Sequence, residues 1–275
     1  MKKIGLYLFF LWIAATGWAQ SEAFYFIQMS DPQLGMWEKN KSFVRETDLM
    51  ERAVAAVNKL NPAFVVITGD LVNDGKDREQ IGEFKRLCAR VRKEIPVYVL
   101  PGNHDLCQEA EEPVVKAYIE EYGYDCFSFQ LKNCCFIGLN TPVVFAGREE
   151  RELSQRVWME KVLENAGKCN HRILFTHYPF FLKSADEPDQ YFNIPLKKRG
   201  AYLNLFEKYR VDAVFAGHLH YNAWSQSGRL QAVVTGAVCY PLGNDPAGFR
   251  IVRVYPDRIE SDYYALDAIP EKVEL

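Results

Sequence analysis

Residues 97–105 read Val-Tyr-Val-Leu-Pro-Gly-Asn-His-Asp, and this stretch decides the fold. Its first four residues are β-branched, aromatic or aliphatic, which is typical of a buried strand. The apolar run stops before a glycine, and Asn103, His104 and Asp105 follow at once. In α/β sheets the functional crevice lies beyond the carboxyl ends of the strands. The stretch therefore predicts a strand that delivers polar side chains to a site.

The same pattern recurs in four other places along the chain. Short apolar runs end in Asp31-Pro32-Gln33, Gly69-Asp70, Thr176-His177 and Gly217-His218-Leu219-His220. Four of the five histidines lie in these five segments, and His171 is the exception, which we expect at the surface. Capping and turn chemistry is the alternative for each residue taken alone, because Asp and Asn favour loops. Taken together, the segments predict strand ends that converge on one site.

Amphipathic stretches alternate with the strands, and this rhythm is typical of an α/β fold. Helices are predicted from a Thr47 cap to Leu60, over 81–91, over 114–122 and from a Ser154 cap to Leu163. Strands are predicted at 23–29, 64–67, 97–100, 126–131, 134–139, 172–175, 211–215, 230–238 and 249–266, the last broken at Pro256-Asp257. We expect a four-layer α/β/β/α sandwich of two mixed sheets flanked by helices.

The chain begins with the features of a secretory signal peptide. Met1-Lys2-Lys3 is a short basic head, residues 4–15 are apolar, and small residues precede a cut after Ala19. The apolar run is shorter than the ~20 residues of a spanning helix, which disfavours the alternative of a membrane anchor. We expect residues 1–19 to be removed, residues 20–275 to form a single domain, and the protein to be exported, either to a periplasm or into the medium.

Composition and charge restrict the class of partner. The sequence is 48% hydrophobic and 25% charged, which indicates a globular chain. Removal of residues 1–19, which contain two lysines and no acidic residue, changes the formal net charge from −3 to −5. An acidic chain is not expected to have nucleic acid as its main partner. The seven cysteines cannot all pair within one chain, and we expect most to be small buried residues, with one disulfide as the alternative.

The polar residues at the strand ends are the ligand types of transition metals. In an extended segment, residues two apart face the same side, so Asp31 and Gln33 can reach one ion together. His218 and His220 are likewise paired, or straddle two neighbouring ions. Mixed oxygen and nitrogen ligands without thiolate suit manganese, iron or zinc better than calcium or copper(I).

The ordered set of Gly-Asp, Gly-Asn-His-Asp and Gly-His-Leu-His, after an aspartate at the first strand end, resembles the calcineurin-like metallophosphoesterase superfamily. The Asp-Pro-Gln form of the first motif, and the 154–163 stretch with its Trp158, resemble the branch that contains a serine/threonine phosphatase. The resemblance implies one metal ion held by Asp31, Gln33, Asp70 and His220, and a second held by Asp70, Asn103, His177 and His218. It further implies a bridging hydroxide that attacks phosphorus, with His104 protonating the leaving oxygen or stabilising its charge and with Asp74 or Asp105 orienting His104.

Two departures from the superfamily pattern bear on this reading. Gln33 stands where most members have histidine, which implies either a weaker ligand or none. The arginine that protein phosphatases of the calcineurin type carry soon after Gly-Asp is absent, since residues 71–76 read Leu-Val-Asn-Asp-Gly-Lys. Protein substrates are therefore less directly indicated than phosphate esters in general.

Three functions are compatible with these residues. The first is hydrolysis of phosphate monoesters on small molecules or phosphoproteins, and the second is hydrolysis of diesters of nucleotides, glycerol or lipid head groups. The third is a non-catalytic module that binds phosphate or metal. Residues 178–181 and 240–248 either line a substrate cleft or pack as ordinary loops, and residues 183–200 either cover the site or form a solvated excursion.

Overall fold

The structure, a computed structural model, describes residues 23–275. The strands of this part of the chain form two sheets, one in the order β11-β10-β1-β2-β3 and the other in the order β4-β5-β6-β7-β9-β8. The strands are β1 Phe24–Met29, β2 Val65–Thr68, β3 Val97–Leu100, β4 Phe127–Leu131, β5 Cys134–Gly138, β6 His171–Phe175, β7 Ala213–Ala216, β8 Ala223–Ser227, β9 Leu230–Val234, β10 Gly248–Val254 and β11 Ile259–Ala265. The predicted signal peptide lies outside the described residues.

In residues 23–275 six helices flank the sheets, of which four begin earlier than predicted and two were not predicted. They are α1 Val44–Leu60, α2 Arg78–Cys88, α3 Glu112–Tyr122, α4 Thr141–Phe145, α5 Glu149–Asn165 and α6 Leu196–Lys208. Thr47 and Ser154 lie inside α1 and α5 and do not cap them. The side chain of Asp77 caps α2 by accepting from the backbone N–H groups of Glu79 and Gln80. Among residues 23–275, every helix is too short or too polar to cross a bilayer.

The two sheets pack face to face through aromatic side chains. Phe26 of β1 stacks on Phe64 at 4.7 Å between ring centroids and meets Phe136, Phe175 and Phe215 of the second sheet edge to face. All five rings are buried, and burial of one such side chain contributes roughly 1.5–3 kcal/mol. The opposite face of each sheet packs on helices within one large apolar cluster. The structure thus confirms the α/β/β/α sandwich.

His171 is buried, which corrects its prediction as a surface residue. Its Nε2 donates to the carbonyl of Tyr255 at 2.8 Å, and its Nδ1 lies 3.5 Å from a carboxylate oxygen of Asp212. His171 begins β6, so it stands at the amino end of the strand, away from the predicted site. Its contacts come from residues far along the chain, and a local sequence pattern could not show them.

All seven cysteines are free.

Parallel pairing places the five predicted segments at one edge of the sandwich. β1, β2 and β3 run parallel to one another in the first sheet, and β5, β6 and β7 do so in the second. The carboxyl ends of these strands therefore lie side by side within each sheet. Because the sheets pack face to face, the two sets of strand ends meet.

Candidate metal centre

The polar residues that follow β1, β2, β6 and β7 form two groups that share one side chain. Ligand atoms of Asp70, His177 and His218 all lie within 4.8 Å of one another, and those of Asp31, Asp70 and His220 do the same. Asp70 belongs to both groups. This arrangement brings together six of the residues predicted from the sequence at two adjacent cation sites, when Asn103 beside His177 is included.

The backbone at these positions is held in an uncommon conformation. Asp31, Gln33, Asp70, His218 and His220 all have positive φ, between 39° and 72°. Such left-handed conformations are infrequent outside glycine and cluster at functional sites. They turn each strand end sharply, so that several side chains point into a small volume.

Backbone carbonyls fix the orientation of three imidazoles. The Nδ1 atoms lie 2.9 Å from the Thr68 carbonyl for His177, 2.6 Å from the Tyr240 carbonyl for His220 and 2.9 Å from the Asn73 carbonyl for His104. A carbonyl oxygen only accepts, so Nδ1 is the donor in each ring and Nε2 faces the site. Metal-binding histidines are oriented in this way in other proteins. These carbonyl partners were not predicted, because a backbone carbonyl gives no signal in a sequence.

Each of the two amide side chains donates through its nitrogen to a neighbouring side chain, which leaves its oxygen available. Asn103 Nδ2 donates to Gln108 Oε1 at 3.0 Å, and Asn103 Oδ1 lies 2.9 Å from His177 Nε2. Gln33 Nε2 donates to Asn73 Oδ1 at 3.2 Å. The remaining oxygen, Gln33 Oε1, is buried and has no hydrogen-bond partner within residues 23–275.

Buried charge makes the site favourable for cations. Asp31 and Asp70 are both buried, and burial raises the pKa of Asp31. Burial also opposes ionisation of Asp70, but the adjacent His177 holds the pKa of this carboxyl well below its usual range. Burial opposes protonation of His177 too, yet the carboxylates of Asp70 and Asp31 raise its pKa to about 9. Two buried carboxylates require positive charge beside them, which a protonated imidazole or a metal ion supplies.

A second, independent observation indicates that these donor atoms suit metal ions. Burial, followed by the charge of His177, lowers the pKa of His218 to about 3, so this ring is neutral. Its Nε2 is buried without a hydrogen-bond partner among the described residues, as is Gln33 Oε1. A buried polar atom that lacks a partner is costly, and for an acceptor such as Gln33 Oε1 a cation bound beside it removes that cost. The two unpartnered atoms lie in the two predicted ligand sets, one in each.

His104 stands at the edge of these groups, and its orientation corrects one expectation. Neither Asp74 nor Asp105 orients its ring. Asp74 Oδ1 accepts from the backbone N–H of Lys76 at 3.0 Å, within its own turn. The Asp105 carboxylate accepts from the backbone of Leu71, Val72 and Gly102, and so ties the β2 and β3 ends together. The Asn73 carbonyl orients His104 instead, and the His104 backbone N–H donates to Asp70 Oδ1 at 2.8 Å.

Aromatic rings border the histidines that follow β7. The Tyr178 ring lies 4.2 Å from that of His218, between centroids, and the Tyr191 ring lies 6.3 Å from it. On the other side, Tyr240 lies 5.9 Å from His220 and 4.5 Å from Trp37. Parts of the 178–181 and 240–248 segments therefore lie beside the predicted ligands. Trp37 was not predicted, because it follows the first motif without any periodic pattern.

Comparison with known proteins gives a result that is consistent with a candidate metal centre. The chain matches the family described as Calcineurin-like phosphoesterase over residues 24–222. It is 36% identical over 269 residues to the human serine/threonine-protein phosphatase CPPED1, an alignment that covers 90% of this chain and 86% of the relative. It is 26% identical over 209 residues to a probable glycerophosphodiester phosphodiesterase, GpdQ, of Arcobacter nitrofigilis, covering 70% of this chain and 71% of the relative.

Among solved structures, a dimetal phosphatase from Danio rerio has the same fold. The TM-score is 0.64 at 17% identity, and the superposition covers 88% of this chain and 96% of the other. The two folds thus agree over nearly their whole lengths.

Proposed function

Since this chain belongs to the calcineurin-like phosphoesterase family, we propose that it hydrolyses phosphate monoesters with the help of two metal ions. One observation carries the proposal, namely that Asp70 contributes to both groups of candidate ligands. A carboxylate shared between two cation sites holds two ions close together, which is the arrangement that enzymes use for in-line displacement at phosphorus. We propose the ligand sets predicted from the sequence, which add Gln33 to the first group and Asn103 to the second.

The residues of the chain have distinct tasks in this reaction. Asp31, Gln33, Asp70 and His220 would hold one ion, and Asp70, Asn103, His177 and His218 the other. When bound, the ions supply an activated nucleophile and offset negative charge on the phosphate oxygens. The carbonyls of Thr68 and Tyr240 keep the Nε2 atoms of His177 and His220 directed at the site throughout.

His104 is the residue best placed to handle the proton of the leaving group. Its Nδ1–H is committed to the Asn73 carbonyl, so Nε2 is the atom that can carry a proton to the departing oxygen. The ring is half-buried, whereas His177 is fully buried, so His104 is the more accessible of the two to a substrate. We assign His104 the role of general acid and give Asp74 no part in the chemistry.

Hydrolysis assays test this proposal directly. The purified chain is stripped of metal, reconstituted separately with manganese, iron and zinc, and given an aryl phosphate and the matching bis-aryl diester. Turnover of the monoester that needs metal and is lost in Asp70→Ala supports the proposal. Tight metal binding without turnover of either ester would contradict it and favour a binding module. The same series identifies the metal, for which we propose one of these three.

A diesterase is the second candidate, and the likeness to GpdQ favours it. The same ions serve both reactions, so the difference lies in whether the second ester arm is accommodated. Faster turnover of the diester than of the monoester would assign the chain to this class. The greater identity to CPPED1, over more of the chain, is our reason for placing the monoesterase first.

The identity to a serine/threonine-protein phosphatase supports phosphoproteins as one substrate class beside small phosphate esters. We also propose that the protein is exported, on the basis of the basic head and apolar run in residues 1–15. The N-terminal sequence of protein recovered from the medium and from the periplasm tests this. A start at or near Gln20 supports export, and an intact Met1 in the cytoplasm contradicts it.

A further inference from the structure

The rings beside the metal centre differ in how much of their surface is available. Tyr178 is buried, and Trp37 and Tyr240 are half-buried against each other. Tyr191 is 76% exposed although its ring lies only 6.3 Å from that of His218. An exposed aromatic ring beside a polar site can stack on a bound ligand without first moving a neighbour.

Tyr191 lies on a loop that is stabilised by hydrogen bonds between its own residues. In residues 182–195, which join the strand end after β6 to α6, Glu187 accepts from the backbone N–H groups of Leu182 and Lys183 at 3.0 and 2.8 Å. Glu187 also accepts from Asn193 Nδ2 at 2.7 Å, and Asn193 is fully buried. These bonds cross the loop and hold its two arms together.

A buried arginine on the following helix stabilises the same loop. Arg199, on α6, has no exposed surface and donates to the carbonyls of Ile194, Ala185 and Glu187 at 3.0, 3.1 and 2.7 Å. Bonds from a charged donor are the stronger kind, and three from one side chain fix the loop relative to the helix. The 183–200 segment is therefore held by buried polar contacts at Asn193 and Arg199, although most of its residues from 183 to 191 are exposed.

The residue after Tyr191 fastens the loop next to the metal centre. The Phe192 ring lies 5.1 Å from the Tyr191 ring and packs against the apolar cluster that contains Leu219. Leu219 stands between the two ligand histidines His218 and His220. Phe192 thus holds Tyr191 at a set distance from His218.

We propose that Tyr191 is a specificity-determining residue that stacks on the leaving group and makes aryl phosphates the preferred monoesters. A flat ring buries more of the exposed tyrosine face than an alkyl group does and adds the preferred geometry of an aromatic pair. The proposal rests on the proposed function, because it concerns the ester that the same site would cleave. Phosphotyrosine and other phenolic phosphates belong to this substrate class.

The test compares two esters of equal carbon number, phenyl phosphate and cyclohexyl phosphate. The metal-loaded chain, Tyr191→Ala and Tyr191→Phe are assayed for kcat/KM on both. For each ester, kcat/KM of the variant is divided by kcat/KM of the unaltered protein. The greater intrinsic reactivity of the phenyl ester cancels in this ratio. Tyr255→Ala is the control, because Tyr255 follows the residue that pairs with Phe24 at the start of β1, at the opposite end of the first sheet.

We expect Tyr191→Ala to lower kcat/KM for the phenyl ester by roughly three- to tenfold, while the cyclohexyl ester changes by less than about twofold. Tyr191→Phe keeps the ring and should keep the preference, as should Tyr255→Ala. Calorimetric binding of phenylphosphonate and cyclohexylphosphonate gives the same comparison without turnover, and only the phenyl compound should bind more weakly to Tyr191→Ala.

Two results would overturn the proposal in different ways. Equal losses on both esters, or no loss on the phenyl ester, would show that Tyr191 does not select the leaving group even though the enzyme is active. Absence of turnover of both esters by the unaltered chain with every metal would instead contradict the proposed function, and the assignment of Tyr191 with it.

Discussion

Asp70 is the side chain that links the two halves of the metal centre. It is the shared member of both ligand groups, and its Oδ1 also accepts from the backbone of His104. We therefore expect Asp70→Ala to lose both ions and not one, with a fall in kcat/KM of at least roughly 10³-fold. Metal analysis after gel filtration is the measurement. A protein that retains one tightly bound ion per chain would show that Asp70 does not bridge.

His104 should behave differently, because it lies beside the metal ligands without being one. We expect His104→Ala to reduce kcat by about 10²–10⁴-fold, the usual contribution of a general acid, and to leave the metal content unchanged. Metal content and turnover are measured on the same preparation, with His171→Asn as a control for removal of a histidine away from the site. Loss of metal from His104→Ala would refute the role assigned to it.

Glycine at the end of β3 is required by close approach of the backbone. A Cβ atom on Gly102 would lie 2.1 Å from Asp70 Oδ1 and 2.2 Å from Asp70 N, far inside contact distance. We expect Gly102→Ala to displace Asp70, to destabilise the fold by about 1–3 kcal/mol and to weaken metal binding. Chemical unfolding and metal titration measure the two effects.

The chain supplies a matched control for that substitution. Gly82 lies in α2, and a Cβ there would meet no heavy atom within 4 Å. Gly82→Ala should therefore stabilise the protein by roughly 0.5–1 kcal/mol, because alanine favours a helix. If Gly102→Ala and Gly82→Ala changed stability equally, crowding at the β3 end would not explain the effect of Gly102→Ala.

The buried pair at the start of β6 gives a prediction about pH. Burial opposes ionisation of Asp212, but the contact with His171, a hydrogen bond from the Arg172 backbone N–H and the charge of Arg229 lower its pKa. A lowered carboxyl pKa in the folded state contributes stability that is complete above the unfolded value of about 3.9 and is lost as the pH falls through the folded value. Asp212→Asn should cost about 1–3 kcal/mol near pH 7, and the difference should shrink below about pH 4.

Urea unfolding of both proteins at several pH values measures this difference. A gap that stays constant into the acid range would show that the carboxylate charge is not what stabilises the β6 start.

At the level of elements, the sequence was most informative where periodicity was strong. The strands that end in ligands and the helices α1, α2, α3 and α5 were all predicted, with starts that differ by several residues. α6 was missed because Lys197, Lys198 and Arg199 resemble a solvated run, whereas Arg199 is buried and bonded to loop carbonyls. β8 was missed because its residues are mostly polar and it lies at a sheet edge.

Across the whole molecule, the metal centre joins the two sheets. Asp31, Asp70 and Asn103 follow strands of the first sheet, and His177, His218 and His220 follow strands of the second. Ions bound between them stabilise only the packed state. At a free metal concentration 100 times the dissociation constant the gain is about 2.7 kcal/mol, so a chelator should lower Tm by roughly 5–10 °C.

Asp70→Ala is the control for that experiment. Its Tm should be nearly independent of metal and of chelator, because the shared ligand is gone. A chelator effect of equal size in both proteins would mean that the stabilising metal is bound elsewhere.

The sequence predicted the members of the site better than the means by which they are held. The five residues that the structure brings together were predicted because carboxylates and imidazoles rarely end buried strands; they are Asp31, Asp70, His177, His218 and His220. The carbonyls of Thr68, Asn73 and Tyr240 that orient three rings were not, since every residue has a carbonyl and only the folded backbone selects one. For the same reason the sequence did not show that the Asn73 carbonyl, and not the Asp74 side chain, orients His104.

The pairing of β1 has a consequence for how the protein is made. β1 lies between β2 and β10, so the strand that precedes Asp31 pairs on one side with Gly248–Val254, a segment far along the chain from it. The chain makes β10 long after β1, and the Tyr240 carbonyl that orients His220 is made only shortly before β10. We therefore expect metal uptake to wait until β10 has been synthesised and has paired with β1.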